Sequence, residues 1–195
     1  SGTWLKHAKY YVDKVTRIFE IKNQSSVIEI ASNDGYLLQY FVEKGIPVLG
    51  IEPAVNVAMA AREKGIPTEV CFFGALTAKR LTNEGKYADL LLGNNVLAHV
   101  TDLNDFVDGL KILLKPRGVI TMEFPHLMRL MEQTQFDTIY HEHLSYFSFI
   151  TVENIFSAHG LVIFDVEELS THGGSLRIYA CHRGDKTKNI SCRNL

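Results

Sequence analysis

Four consecutive residues combine a phenol, a carboxylate and two imidazoles: Tyr140, His141, Glu142 and His143. Histidine titrates near neutral pH, and a neighbouring carboxylate can fix the tautomer of its ring. A tyrosine hydroxyl can donate a hydrogen bond to negative charge that develops on an oxygen atom. The combination is therefore typical of proton-transfer chemistry, in which one group removes a proton and another stabilises the remaining anion.

Two other interpretations of this cluster stay open on the residues alone. A His-x-His pair on a strand places both rings on one face, as metal sites often do. The histidines can equally be ordinary surface or core residues. A zinc site needs further ligands, and neither Cys-x-x-Cys nor His-Glu-x-x-His accompanies the cluster. We therefore expect no bound metal.

The composition predicts one domain that acts on small molecules. The chain has 195 residues, 46% hydrophobic and 22% charged, which suffices for a single well-buried core. A formal net charge of −2 excludes the basic surface of a protein that binds nucleic acid or an anionic membrane. The absence of a signal-peptide segment and the uneven spacing of Cys71, Cys181 and Cys192 favour a cytoplasmic location. The sequence does not indicate the oligomeric state.

From residue 27 onward, short apolar runs alternate with amphipathic stretches, which predicts an α/β fold with a parallel sheet and crossover helices. Two late strands, 161–169 and 175–181, are expected to close the sheet as a hairpin-like pair. We expect one domain over 1–184, with 185–195 a tail or the start of another domain. The other predicted strands are 27–31, 48–51, 68–71, 88–92 and 119–124, and the predicted helices are 4–20, 36–44, 55–64, 76–82, 103–114 and 152–159.

The turn after the first predicted strand is the expected ligand site, because open sheets bind ligands beyond the carboxyl ends of their strands. It reads Glu-Ile-Ala-Ser-Asn-Asp-Gly at 29–35 and lacks the repeated glycines of a dinucleotide-binding turn. Its carboxylates suit a cationic ligand better than a phosphate. Glu52 ends the second strand, where it can accept hydrogen bonds from both ribose hydroxyls. A helix cap for Asp34 and a solvated strand end for Glu52 are the plainer alternatives.

Five segments, in this order, resemble the S-adenosylmethionine-dependent sugar C-methyltransferases, which methylate a carbon of a nucleotide-linked (dTDP-type) keto-deoxysugar. The matches extend over residues 25–180. The segments are Glu-Ile-Ala-Ser-Asn-Asp-Gly at 29–35, Gly-Ile-Glu-Pro at 50–53, Asn-Asn-Val-Leu-Ala-His at 94–99, Phe-Asp-Thr-Ile-Tyr-His-Glu-His at 136–143 before Phe-Ser at 147–148, and His-Gly-Gly-Ser-Leu-Arg at 172–177.

The resemblance implies a Rossmann-like class I methyltransferase fold, with a mostly parallel sheet and an antiparallel closing strand. It also implies S-adenosylmethionine as the cofactor. Members of the family look three-part, with a zinc-binding N-terminal domain and a C-terminal domain that helps to hold the nucleotide sugar. This chain resembles their central domain.

The resemblance also implies roles for the catalytic candidates. A carbon beside a ketone becomes nucleophilic only after it loses a proton, and the enolate then needs hydrogen-bond donors at its oxygen. His143 would be the general base, and Tyr140 would bond the carbonyl or enolate oxygen. Glu142 would orient or polarise an imidazole, although adjacent side chains of an extended segment point apart. His99 would assist with the substrate or the proton.

For the cofactor we expect a binding surface built mainly from the two strand ends. Phe72 or Phe73 would cover the adenine, although either can equally be a core residue, and Asn94 and Asn95 would line the amino-acid end. No acid follows the third strand to meet the adenine amino group. The remaining predicted cofactor-binding residues are Glu29, Ala31, Asn33, Gly35 and Glu52.

Two other functions stay open. The chain could be a cofactor-binding module that is inactive without a separate substrate domain. It could also belong to a nicotinamide-dependent sugar-nucleotide enzyme, although the missing glycines count against this.

Overall fold

A computed structural model describes residues 2–185 and places seven strands of this part of the chain in one sheet, in the order β3-β2-β1-β4-β5-β7-β6. Strands β1 to β5 are parallel, and β7 runs antiparallel to both β5 and β6. The predicted mostly parallel sheet with its antiparallel closing pair is therefore confirmed. The strands are β1 Val27–Ile30, β2 Val48–Ile51, β3 Thr68–Glu69, β4 Ala88–Asn94, β5 Leu114–Pro125, β6 Leu161–Leu169 and β7 Ser175–His182.

Helices cover both faces of the sheet. The first of them is amphipathic and buries Ala8, Tyr11, Val12 and Val15, which recur at helical spacing. None of the described helices combines the length and the apolar character that a membrane crossing requires. The helices are α1 Gly2–Ile18, α2 Gln39–Val42, α3 Val55–Glu63, α4 Ala75–Asn83, α5 Leu103–Leu113, α6 Leu127–Glu132 and α7 Phe149–Ala158, with 3₁₀ turns at Leu97–His99, Phe136–Thr138 and Thr171–Gly173.

Two hydrophobic clusters hold these layers together. Leu91 of β4 packs in the cluster that contains α5 and α7, whereas Leu90 and Leu92 pack in the cluster that contains α1 and α2. Successive strand residues thus enter opposite layers, because side chains alternate across a sheet. Burial on both faces explains why the central strands read as continuous apolar runs.

Two predicted elements are shorter in the structure than in the sequence pattern. Helix 36–44 reduces to Gln39–Val42, because Tyr40 N and Phe41 N bond the carbonyls three residues earlier and wind the chain more tightly. Strand 68–71 ends at Glu69, since this edge strand pairs only with β2 and the chain then turns away. Apart from Asp185, the predicted tail 185–195 lies outside the described residues, so the domain boundary stays a prediction.

Candidate active site

A cavity of about 460 Å³ opens at the carboxyl edge of the sheet, where the predicted ligand site was placed. It is bounded by the chain segments that follow β1, β2, β3 and β4. Its wall is mostly apolar and aromatic, and Asp102 and Asp105 are the acidic residues among those that line it. The lining residues are Ile30, Ala31, Ile51, Pro53, Cys71, Phe72, Phe73, Asn95, Val96, His99, Val100, Thr101, Asp102, Asp105 and Phe106.

The turn after β1 has an unusual backbone. Ala31, Asn33 and Gly35 all have positive φ, at 55°, 53° and 75°. A Cβ atom on Gly35 would lie 2.2 Å from Cδ1 of Ile66, so both the conformation and the packing require glycine. The turn thereby brings the backbone of Ala31 to the cavity wall.

Glu52 connects this turn to the loop after β2. Its Oε2 accepts a hydrogen bond from Asn33 N at 3.1 Å, and its Oε1 accepts one from Ala54 N at 2.9 Å. The residue is 8% exposed and stands between Ile51 and Pro53, which line the cavity. A carboxylate has about four acceptor sites, so Glu52 retains capacity for a ribose diol.

Near the carboxyl ends of β1 and β4 lie buried polar atoms that the described residues do not pair. Glu29 Oε2, Ser32 Oγ and Asn94 Oδ1 have no hydrogen-bond partner among the described residues. Burial raises the pKa of Glu29 well above its usual value, and the charges of Asp34 and Glu52 raise it further. Unpaired buried groups are costly and rare. A cationic ligand with hydrogen-bond donors, such as the amino-acid end of S-adenosylmethionine, fits these acceptors.

His143 has a fixed ring orientation. Its Nδ1 donates a hydrogen bond to the carbonyl oxygen of Thr138 at 2.7 Å, which assigns the proton of the neutral ring to Nδ1. Nε2 is then the basic nitrogen, and it lies 3.1 Å from the hydroxyl of Tyr140. The segment is anchored by Leu144 N, which donates to the carbonyl of Ala98 at 2.8 Å.

His99 joins this cluster to the cavity. It lines the cavity wall, and its ring centroid is 4.9 Å from that of His143. Burial lowers the pKa of His99, and the neighbouring His143 lowers it further, whereas a hydrogen bond from the His99 ring to the Glu142 backbone opposes this shift. His99 is therefore neutral at pH 7. The structure thus brings together His143, Tyr140 and His99.

Glu142 and His141, in contrast to these three residues, have largely exposed side chains. The Glu142 side chain is 61% exposed and its carboxylate lies 3.8 Å from His141 Nε2, while His141 is 90% exposed. The contact that orients His143 comes from the Thr138 carbonyl and not from the Glu142 carboxylate. An orienting role for that carboxylate stays a prediction. In the described part of the chain, no group of His, Cys, Asp and Glu is arranged to hold a metal ion.

Phe72 and two acids are among the residues that line the cavity. Phe72 is 82% exposed beside the cavity, and Phe73 packs edge-on against Phe106 with ring centroids 5.4 Å apart. Asp102 and Asp105 reach the same wall from the segment after β4. The sequence pattern places no acid after the third strand and did not indicate these two. Their only sequence signal is a helix-cap spacing at the start of α5.

A second polar cluster, which the sequence pattern also did not indicate, is buried between β5, β7 and α1. Glu123 forms an ion pair with Arg177, its register partner on β7. Its oxygens also lie 3.1 and 3.2 Å from His7 Nε2, and Oε1 accepts a bond from Thr171 at 3.0 Å. Burial alone would raise the pKa of Glu123, but His7 and Arg177 outweigh it and hold that pKa below its usual value. This cluster fixes the His-Gly-Gly-Ser-Leu-Arg segment to the sheet.

The sheet order and the cavity at its carboxyl edge define the class I methyltransferases. Residues 4–166 match the family model described as a methyltransferase domain, and the chain belongs to this family. The match confirms the predicted enzyme class and its cofactor, S-adenosylmethionine. It also favours this class over the nicotinamide-dependent alternative.

Similarity to known proteins, in sequence and in structure, supports this assignment. The chain is similar to the C-methyltransferase NovU of Streptomyces niveus, with 34% identity over 180 residues that cover 92% of this chain and 43% of that protein. In structure it is similar to the PH0226 protein of Pyrococcus horikoshii OT3, with a TM-score of 0.75, 15% identity, and coverage of 94% of this chain and 92% of that one. The magnesium protoporphyrin IX methyltransferase of Synechocystis PCC 6803 with bound SAH has a TM-score of 0.70 at 13% identity, over 92% of this chain and 83% of that one.

Proposed function

We propose that this chain is the methyltransferase domain of an enzyme that methylates a carbon beside the keto group of a nucleotide-linked keto-deoxysugar of the dTDP type. The single observation that carries the proposal is the cluster of His143, Tyr140 and His99 next to the cavity assigned to the cofactor. The similarity to a C-methyltransferase and the order of the five sequence segments support it. The near-neutral charge and the cysteine spacing support a small-molecule substrate and a cytoplasmic location.

His143 is the proposed general base. Its Nδ1–H bond to the Thr138 carbonyl leaves the lone pair on Nε2, which is the atom that takes the proton from the substrate carbon. The same bond stabilises the charged ring that results, because a carbonyl oxygen accepts more strongly from a cation.

Tyr140 and His99 assist this step from two sides. The Tyr140 hydroxyl bonds Nε2 in the structure, so it lies beside the reacting atoms and can turn its proton toward the enolate oxygen. His99 remains neutral next to His143, so it does not oppose the charge that His143 acquires. It can donate to the substrate or pass the proton onward.

Residues at and after the carboxyl ends of β1 to β4 hold the cofactor in this proposal. S-adenosylmethionine supplies an activated methyl group, so methyl transfer to the carbanion needs mainly alignment. Glu52 accepts from the ribose, and the positive-φ turn lets the backbone approach. Glu29 and Asn94 face the amino-acid end, and Phe72 covers the adenine.

A cofactor-binding module without activity of its own is the second candidate, because the chain spans 43% of the length of NovU. The two candidates differ in proton exchange. If the chain catalyses the proposed step, it exchanges deuterium from heavy water into the carbon beside the ketone of a nucleotide keto-deoxysugar. A chain that binds S-adenosylhomocysteine but exchanges nothing supports the module.

The role of His143 is tested in the same assay. His143→Asn should keep its affinity for S-adenosylhomocysteine and lose about a hundredfold to ten-thousandfold in exchange rate, the usual contribution of a general base. Tyr140→Phe should lose less, because it removes only a donor to oxygen. His141→Asn is the matched control, since that ring is exposed, and it should exchange at the unmodified rate. Unchanged exchange in His143→Asn would move the base to His99.

A further inference from the structure

A chain of hydrogen bonds leads from the proposed base to the turn Thr171–Gly173, between β6 and β7. His143 Nδ1 donates to the Thr138 carbonyl oxygen at 2.7 Å, and Thr138 Oγ1 donates to the carbonyl oxygen of Gln135 at 2.8 Å. Gln135 Nε2 in turn donates to the carbonyl oxygen of Gly173 at 2.7 Å. All three distances lie in the normal range for protein hydrogen bonds. Gln135 therefore connects the segment that carries the base to a turn 38 positions further along the chain.

The contact at Gly173 depends on the absence of a side chain at that position. A Cβ atom on Gly173 would lie 2.4 Å from Gln135 Nε2, and the φ of Gly173 is 74°. Gly174 has a φ of 122°, and a Cβ atom there would lie 2.9 Å from Cβ of Arg129. Both backbone conformations favour glycine. The Gly-Gly pair of the His-Gly-Gly-Ser-Leu-Arg segment thus lets the turn pack against α6 and Gln135.

Gln135 ties a weakly supported segment to a well-supported one. None of the residues Phe136–Thr138 is buried, so hydrogen bonds rather than core packing position this 3₁₀ turn. The Tyr146 hydroxyl also donates to the Thr138 carbonyl, but at 3.4 Å this bond is long. The turn Thr171–Gly173 is anchored more firmly, because the Thr171 hydroxyl donates at 3.0 Å to the carboxylate of Glu123, which is fully buried.

We propose that Gln135 is a positioning residue for the general base, because it holds the Thr138 carbonyl in place against His143 Nδ1. This inference rests on the proposed role of His143. The Tyr140 hydroxyl can both donate and accept, so its contact with Nε2 permits either neutral form of the ring. The Thr138 carbonyl can only accept, so it selects the form that leaves the lone pair on Nε2. Without Gln135 the carbonyl is free to turn away, and part of the population then carries its proton on Nε2 and has no base there.

Nitrogen NMR of the His143 ring, recorded at alkaline pH, tests this role without any substrate. Gln135→Glu keeps the length of the side chain but replaces the donor amide by a carboxylate oxygen, which repels the Gly173 carbonyl. The unmodified chain should show one neutral form, protonated at Nδ1, whereas the variant should show a mixture with the form protonated at Nε2. Deuterium exchange into the nucleotide keto-deoxysugar should fall about ten- to a hundredfold, as expected when a reacting group loses the contact that orients it. The affinity for S-adenosylhomocysteine should not change, because Gln135 is not among the residues that line the cavity.

Two further variants separate positioning from stability. Gln135→Met removes the donor without adding a charge, so it should also produce the mixture of ring forms, and it replaces Gln135→Glu if that variant folds poorly. Arg183→Met is the matched control, since it removes a side-chain bond of 2.8 Å to the Ser157 carbonyl near the end of β7, at the opposite edge of the sheet. It should change neither the form of the His143 ring nor the exchange rate. An unchanged ring form and exchange rate in both Gln135 variants, even with a lower melting temperature, would overturn the assignment.

The positioning role and the proposed function can fail separately in these experiments. An unmodified chain that exchanges no deuterium, but whose His143 ring form depends on Gln135, would count against the proposed function and support the positioning contact. A chain that exchanges deuterium through His143 at the same rate with and without the Gln135 amide would keep the proposed function and overturn the positioning role.

Discussion

Glu52→Ala should weaken binding of S-adenosylhomocysteine more than tenfold. In the proposed site the carboxylate accepts bonds from both ribose hydroxyls, and each bond to a charged group is worth about 1.5–3 kcal/mol. Even one such bond exceeds the roughly 1.4 kcal/mol that corresponds to a tenfold change in affinity. Glu52→Gln, which keeps one acceptor oxygen, should fall between Glu52→Ala and the unmodified chain.

Glu52→Ala should also lower the free energy of unfolding, in addition to its effect on ligand affinity. Glu52 accepts from Asn33 N and Ala54 N, and the loss of two bonds at about 1 kcal/mol each removes about 2 kcal/mol. For a domain of this size that lowers the melting temperature by about 4–8 °C. Thermal unfolding measured beside calorimetry therefore separates the structural effect from the ligand effect.

Glu63→Ala is the matched control, because this glutamate is exposed in the last turn of α3. It should change neither the affinity nor the melting temperature measurably. A folded Glu52→Ala protein that binds S-adenosylhomocysteine as tightly as the unmodified chain would refute the ribose contact. A lower melting temperature with unchanged affinity would leave Glu52 with the structural role alone.

Gly35→Ala should destabilise the domain by about 1–3 kcal/mol, because its Cβ would meet Ile66 and its φ is positive; a melting temperature equal to that of the unmodified chain would contradict this. Glu29 has a raised pKa in the folded state, so its contribution to stability is full below its ordinary value of 4.5 and is lost as pH rises toward the folded pKa. Glu29→Gln should therefore melt higher than the unmodified chain at pH 7 but bind S-adenosylmethionine more weakly, and a lower melting temperature would exclude this linkage. Elemental analysis should find far less than one zinc per chain, whereas stoichiometric zinc that disappears in His143→Ala would establish a metal site.

The strands of the central sheet could be predicted because the signals that identify them lie within short stretches of the sequence. Strands buried on both faces must be apolar throughout, and glycines that end α3 and the segment after α2 mark where each crossover stops. The short α2 could not be predicted, because the burial of Leu37 and Leu38 and the tighter winding depend on packing with α1 and not on periodicity. Likewise β3 is cut short by its position at the sheet edge, which the sequence pattern does not encode.

The residues of the candidate site also fall into those that the sequence predicts and those that it does not. The turn at 29–35, Glu52 and the segment 140–143 are contiguous motifs, so their types and spacing were sufficient to single them out. The hydrogen bond from His143 to the Thr138 carbonyl involves the backbone of a 3₁₀ turn, so the pattern of side chains in the sequence does not predict it. Asp102 and Asp105 were missed because they line the same cavity as Phe72 only when the segments after β3 and β4 meet.

The polar cluster around Glu123 also determines the stage of synthesis at which the domain can finish folding. Its members come from opposite ends of the chain, since His7 and Arg177 are separated by 170 positions and yet meet at 3.1 Å. Strand β7, which carries Arg177, must also insert between β5 and β6. Until Thr171 and then Arg177 have left the ribosome, Glu123 lacks the loop hydroxyl and the guanidinium that it pairs with, and an unpaired carboxylate opposes burial. The sheet therefore closes late, through contacts of long sequence separation that make folding slow.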